Sequence, residues 1–153
     1  MKKLFACTLG GVLALSIAFF AGTKVSAAGD VAPVRLDAGK MAGLGLTAIP
    51  PDAYKEILVG GELNMKVANL FTGKELRAEI FGSTPAKTDH KKRPTDGDEF
   101  VYVLNGKLIL TAPNGKAHEF LPGNALVLPA GYTGTWEMQG DYREIAVVMN
   151  KRK

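Results

Sequence analysis

From Phe100 to Met149 the chain breaks into short β-rich runs with turn residues between them at close, even spacing. Asn105-Gly106 separates Phe100–Leu104 from Lys107–Thr111. Pro113-Asn114-Gly115 precedes Ala117–Leu121, and Pro122-Gly123-Asn124 precedes Ala125–Leu128. Pro129-Ala130-Gly131 leads into Thr133–Gln139, and Tyr142–Met149 comes last. Asn-Gly supplies the positive φ angles that a tight turn needs, so the first pair is expected to close as a hairpin. Short strands at such spacing indicate a sandwich or barrel. No long helical period appears after Pro51, and the sequence holds no repeat. A length of 153 residues suits one such domain.

Upstream, Ile57-Leu58-Val59 before Gly60-Gly61 and Met65–Phe71 read as strands. Leu76, Ala78 and Ile80 alternate with Arg77, Glu79 and Phe81, the pattern of a half-buried strand. Gly29 to Pro51 reads as an extended arm with a turn of helix near Asp37 to Leu44. Thr84 to Asp98, fifteen residues with Pro85, Pro94 and Gly97, reads as a long polar loop. The expected division is a signal peptide over 1–28, an N-terminal arm over 29–53 and a barrel over 54–153.

The signal peptide follows from Lys2-Lys3, the uncharged run Leu4 to Ala21, and the small residues of Val25-Ser26-Ala27-Ala28. Gly10-Gly11, Thr8 and Ser16 dilute the run relative to a membrane span, so the expected product is periplasmic or secreted and free of the membrane. Cys7 precedes most of the apolar run, which excludes it as a lipid anchor. It is also the only cysteine, so a thiol nucleophile, a Cys-based zinc site and an internal disulfide are excluded from the mature chain. The formal charge of +4 falls to +1 once Lys2, Lys3 and Lys24 are removed. A near-neutral domain lacks the footprint of a nucleic-acid binder. Lys91-Lys92-Arg93 and Lys151-Arg152-Lys153 read as a solvated loop and a solvated terminus.

Two stretches carry a family resemblance. Glu99-Phe100-Val101-Tyr102-Val103-Leu104-Asn105-Gly106 resembles the end of the first cupin motif. Pro122-Gly123 through Pro129-Ala130-Gly131 resembles the second, with Gly131-Tyr132-Thr133-Gly134-Thr135-Trp136 continuing it. Over Asp98 to Met149 the chain resembles small single-domain cupins of the (S)-ureidoglycine aminohydrolase-like and ethanolamine-utilisation-like group. That resemblance implies an all-β, RmlC-like jelly roll, the double-stranded β-helix. It also implies a metal site of three His and one Glu, and pairing of such chains through their sheets as homodimers. Here Lys92, Arg93, Pro94 and Thr95 stand where the first two His fall, and Gly134 stands at the third. Only Glu99 remains of the four ligands. One carboxylate holds a transition metal poorly, so no metal and no cofactor are expected.

The candidate site is the barrel mouth. Glu99 against an apolar wall could act as acid or base, or accept turn hydrogen bonds. Strand alternation turns Trp136 inward, to stack on a flat ligand or to fill the core, and places Tyr132 at the rim. His90 precedes the barrel mouth and could swing inward as a ligand or proton-transfer residue, or be a solvent-exposed or hydrogen-bonded His. His118 lies away from the second motif. No Gly-x-Ser-x-Gly, P-loop, Gly-x-Gly-x-x-Gly or His-Glu-x-x-His occurs. Two functions fit: a metal-free cupin that binds a small polar or planar ligand, or an enzyme of the ureidoglycine aminohydrolase-like group acting on a small nitrogenous or carboxylate metabolite. A structural partner using its sheet faces is a third. Export makes the first prediction. Mass spectrometry of the native protein should find an N-terminus at Ala28 or Gly29, and an intact Met1 on a membrane-bound form would refute it.

Overall fold

The computed structural model describes residues 32–150. The expected signal peptide, the first residues of the arm and the Lys151-Arg152-Lys153 cluster lie outside the described residues. Among those described, no helix is long and apolar enough to cross a membrane.

The arm carries one short helix, α1 (Ala38–Met41), whose Asp37 carboxylate caps it by accepting from the Lys40 backbone N–H at 3.0 Å. Nine antiparallel strands follow: β1 (Thr47–Ala48), β2 (Leu58–Gly61), β3 (Lys66–Thr72), β4 (Leu76–Ser83), β5 (Ala86–Asp89), β6 (Glu99–Thr111), β7 (Ala117–Phe120), β8 (Ala125–Leu128) and β9 (Thr135–Met149). They form one curled sheet in the order β1-β3-β4-β9-β5-β2, with β6 paired to β7, β8 and β9. The expected all-β jelly-roll barrel is therefore what the chain forms. The arm also joins the sheet, because Thr47 and Ala48 pair with Val67 and Lys66.

Asn105-Gly106 does not close a hairpin. It sits inside β6, which continues through it while both halves pair with β9. The runs Thr133–Gln139 and Tyr142–Met149 likewise merge into one strand. Gly106 and Gly140 each have φ of 72°, and the ladder shifts register on both sides of Asn105. The Asn105 amide donates to the Asp141 carbonyl at 2.7 Å. Positive φ here makes a shared bend in two long strands, since each half already has a partner strand to extend along. The expected loop Thr84–Asp98 is interrupted by β5, which lies between β2 and β9 with Ala86 and Thr88 buried.

The alternation in β4 has a different meaning from a half-exposed strand. Arg77, Glu79 and Phe81 line the interior, while Ala78 and Ile80 face outward yet are buried. The arm covers that outer face. A Cβ on Gly82 would meet Leu46 Cδ1 at 3.4 Å, and one on Gly43 would meet the Arg143 guanidinium at 2.7 Å. Lys40 Nζ donates to the Asn69 carbonyl of β3 at 3.0 Å. The main core lies inside the curl, where Ile49, Ile57, Val101, Val103, Leu108, Leu110, Met138 and Tyr142 pack together.

The bend generates a prediction. A Cβ at Gly106 would stand 2.6 Å from the Gln139 carbonyl oxygen and 2.8 Å from Tyr142 Cα, whereas one at Gly115, also at positive φ, would meet nothing within 4 Å. Gly115→Ala should cost about 1–2 kcal/mol, the price of a left-handed backbone alone. Gly106→Ala should cost about 3 kcal/mol or more, since backbone must also move. Equal losses in chemical denaturation would contradict this account of the bend.

Candidate functional site

Register determines which side chains meet inside the barrel. Three cross-strand rows run over β4, β9 and β6 on the inner face: Arg77, Val148 and Glu99; Glu79, Ala146 and Val101; Phe81, Glu144 and Val103. Beyond the bend, β5, β9 and β6 supply Thr88, Trp136 and Leu110, then Ala86, Met138 and Leu108. These rows enclose a cavity of about 410 Å³. Small Ala146, between Glu79 and Val101, leaves room at its floor. Met65, Val67, Phe81, Met138 and Val148 make most of its wall apolar.

The polar groups inside fall into two sets. Arg77 Nε donates to Glu79 Oε1 at 2.8 Å, a pair largely screened from water. Glu99 has no hydrogen-bond partner among the described residues, and its accessible surface faces the cavity. Burial, helped by the Glu79 charge and opposed by Arg77, raises the Glu99 carboxyl to about 7. Glu144 is 2 % exposed and accepts a short hydrogen bond from the Tyr142 hydroxyl. Burial and the Glu99 and Glu79 charges push it to about 8, against the Tyr142 bond. The Tyr142 phenol is pushed up in turn, by burial first and by Glu144 second. Desolvation disfavours the charged form of a carboxyl, and a neighbouring carboxylate disfavours it further.

At the cavity's other end His90 lies against Trp136, ring centroids 5.4 Å apart at 35°. His90 Nε2 is 3.2 Å from the Thr88 hydroxyl, and burial lowers its proton affinity. The Trp136 indole N–H is buried with no acceptor among the described residues. Arg93 lines the same end and donates to the Ala53 carbonyl at 2.7 Å.

Glu99, His90 and Trp136, three of the four residues expected at the site, thus line one cavity. Tyr132 does not. It lines a separate hollow of about 270 Å³ with His118, Leu126 and Val127. Arg77, Glu79, Tyr142 and Glu144 were not anticipated. Their only signal is alternation: Tyr142, Glu144, Ala146 and Val148 share one face of the last strand. In a curled sheet the more polar face of a strand can be the inner one.

The fourfold cupin ligand set does not fit these residues. Among the described residues no group of three or more His, Cys, Asp and Glu is arranged to hold a metal ion. A side chain at residue 134 is sterically barred, because its Cβ would collide with the Thr111 carbonyl oxygen and the Tyr132 hydroxyl.

Comparison with known proteins agrees with this geometry. The family model of the EutQ-like cupin domain matches residues 73–145, from the start of β4 into the second half of β9. The EutQ protein of Clostridium difficile is similar with a TM-score of 0.55 at 16 % identity, over 72 % of this chain and 83 % of that one. The polyketide cyclase RemF from Streptomyces resistomycificus is similar with a TM-score of 0.51 at 20 % identity, over 71 % and 76 %. A protein of unknown function from Pseudomonas syringae pv. tomato has a TM-score of 0.58 at 26 % identity. That match covers 67 % of this chain and 43 % of the other, so this chain spans under half of its length. No curated protein matches. The likeness to EutQ and RemF is one of fold.

The buried acids make stability depend on pH. Folded Glu99 and Glu144 keep their protons up to about 7 and 8, while the ordinary carboxyl value is 4.5. Between those limits the folded state binds more protons than the unfolded state. Stability is therefore full below the unfolded value and falls as pH rises, by at most ~1.4 kcal/mol per pH unit for each group. Denaturation midpoints should decline from about pH 5 to about pH 8, and Glu99→Gln should flatten the decline. A midpoint that rises through this window would refute the account.

Proposed function

We propose that this cupin-domain protein is exported and binds a small polar or planar molecule inside its barrel, without the usual His metal site. The observation that carries the reading is the cavity of about 410 Å³, apolar in its walls and with a few converging polar groups. Ligand sites commonly have that make-up. Glu99 without a hydrogen bond and an indole N–H without an acceptor support it, since buried polar groups are normally satisfied. A second reading, an enzyme acting on a small nitrogenous or carboxylate metabolite, draws support from Glu99 and Glu144. Carboxyls that titrate near neutrality suit general acid–base work. Phe100 and Val127, paired across β6 and β8 and 42 % and 63 % exposed, support a homodimer through that sheet face.

Trp136 is the only tryptophan, so its emission reports on the cavity without a label. A panel of small metabolites should include compounds that change this emission saturably. Ala146→Leu should weaken that binding at least tenfold, because it fills the floor, while the melting temperature holds or rises. Turnover of a bound compound, lost in Glu99→Gln, would move the protein to the enzyme reading. The binding reading fails if no compound shifts either emission or melting temperature.

A further inference from the structure

We propose that the barrel cavity selects a small organic ammonium ion, whose N–H groups are held between the Glu99 and Glu144 carboxylates. This rests on the ligand-binding reading above and names the charge class of the ligand. The argument is an inventory of what faces the cavity. From β4 come Arg77 and Glu79, joined by one hydrogen-bonded ion pair at 2.8 Å. From β6 comes Glu99, which has no hydrogen bond. From β9 comes Glu144, which receives a single hydrogen bond, from the Tyr142 hydroxyl. From the segment between β5 and β6 come His90, Arg93 and Asp96. Burial lowers the proton affinity of His90, and Arg93 donates to the Ala53 carbonyl. Glu99 and Glu144 thus face one cavity with neither in an ion pair among the described residues, although Arg77 lies on the same inner row as Glu99.

Their surroundings point to an occupant rather than to a structural role. Neither carboxyl caps a turn or a strand end. Met65, Val67, Phe81 and Met138 also line the cavity, an apolar wall suited to the hydrocarbon part of an amine. At the far end Trp136 is 8 % exposed, and its buried indole N–H lacks an acceptor among the described residues. An anion at the carboxyl end would be tolerated only by the protonated carboxyls. A neutral alcohol would exchange hydrogen bonds with them without displacing a proton. An ammonium ion replaces the proton itself: the carboxyl O–H bond breaks, the proton leaves to solvent, and the carboxylate accepts an N–H of the ligand. Ordinary amines stay charged below about pH 10, so ligand charge does not change across the range in which the two carboxyls titrate.

The test uses the mature protein and three probes of one size: n-butylammonium, n-butanol and butyrate. Binding is read from Trp136 emission and by calorimetry in two buffers of different ionisation enthalpy. The expected result is that n-butylammonium binds at least tenfold more tightly than the other two at pH 8. Its Kd should fall at least threefold between pH 6 and pH 8, with net proton release on binding. Glu99→Gln and Glu144→Gln, each verified as folded by circular dichroism, should each reduce the preference for the ammonium probe at least fivefold. If butanol or butyrate binds as well as the amine, or the amine binds with no proton release, the charge assignment is overturned and the ligand-binding reading stands. If none of the three changes emission or heat at millimolar concentration, while other small molecules bind, the assignment also falls. If nothing binds at all, both readings fall together.

Discussion

The pairing of β6 with β9 is the contact on which the remaining architecture depends. These are the two longest strands, and they run against each other from Glu99↔Val148 to Thr111↔Thr135. Each half of β9 has a further partner, β4 on one side of the bend and β5 on the other. The flanking strands can therefore turn toward each other only because the central pair bends, and the bend is possible only because Gly106 and Gly140 adopt positive φ at nearly the same place. A side chain at Gly106 would meet the backbone of the partner strand. The local chemistry of one dipeptide thus controls how far the sheet curls, and the curl creates the enclosed space.

That space is lined in a way that opposes stability. A core built for stability alone would place aliphatic residues at Glu99 and Glu144. Replacing buried ionisable groups with apolar ones of similar shape is often neutral or stabilising. The barrel instead retains two carboxyls whose charged forms are disfavoured by burial and by neighbouring carboxylates, Glu79 for Glu99 and Glu99 with Glu79 for Glu144. Arg77 neutralises Glu79 and lies on the same inner row as Glu99, yet leaves Glu99 without a hydrogen bond. The Tyr142 hydroxyl supports Glu144 from two residues away on the same strand face. Such groups are the ones whose protonation would respond to a molecule entering the cavity, which is the physical basis of the proposed ligand-binding role.

The all-β class and most strand segments were legible because turn residues recur at short intervals, and Gly-, Pro- and Asn-containing turns act locally. The inward Trp136 was legible because strand alternation can be counted from one fixed position. What lay outside local reading was the pairing between distant strands. Asn-Gly has the same backbone preference in a hairpin and in a bulged bend, so only the presence of β9 beside both halves of β6 distinguishes them. β5 was hidden in a polar segment because its four residues carry a Lys and an Asp on the less buried face. Arg77 and Glu79 look like a solvent face until it is known that the arm covers Ala78 and Ile80 on the other side. Glu144 needed the register with Phe81 and Val103 before it could be placed beside Glu99 and Glu79.

The position of Tyr132 shows why the third ligand position cannot carry a side chain here. In the resemblance that position belongs to a metal-binding His, and here it is Gly134. The glycine is not simply a missing ligand: the Tyr132 hydroxyl and the Thr111 carbonyl occupy the space that any Cβ would need. Tyr132 packs against the core and faces the hollow shared with His118, so its ring closes one side of the barrel and is not part of the cavity that holds Glu99. Restoring a His at residue 134 would therefore also require moving Tyr132. With that position closed, the polar centre of the barrel lies instead on the half formed by β4, the start of β6 and the end of β9, where register brings the carboxyls together. The arm, by covering the outer face of β4, makes it possible for this strand to carry charged residues on its inner face and apolar residues on its outer one. Fold, arm and cavity chemistry are thus coupled through the single strand β4.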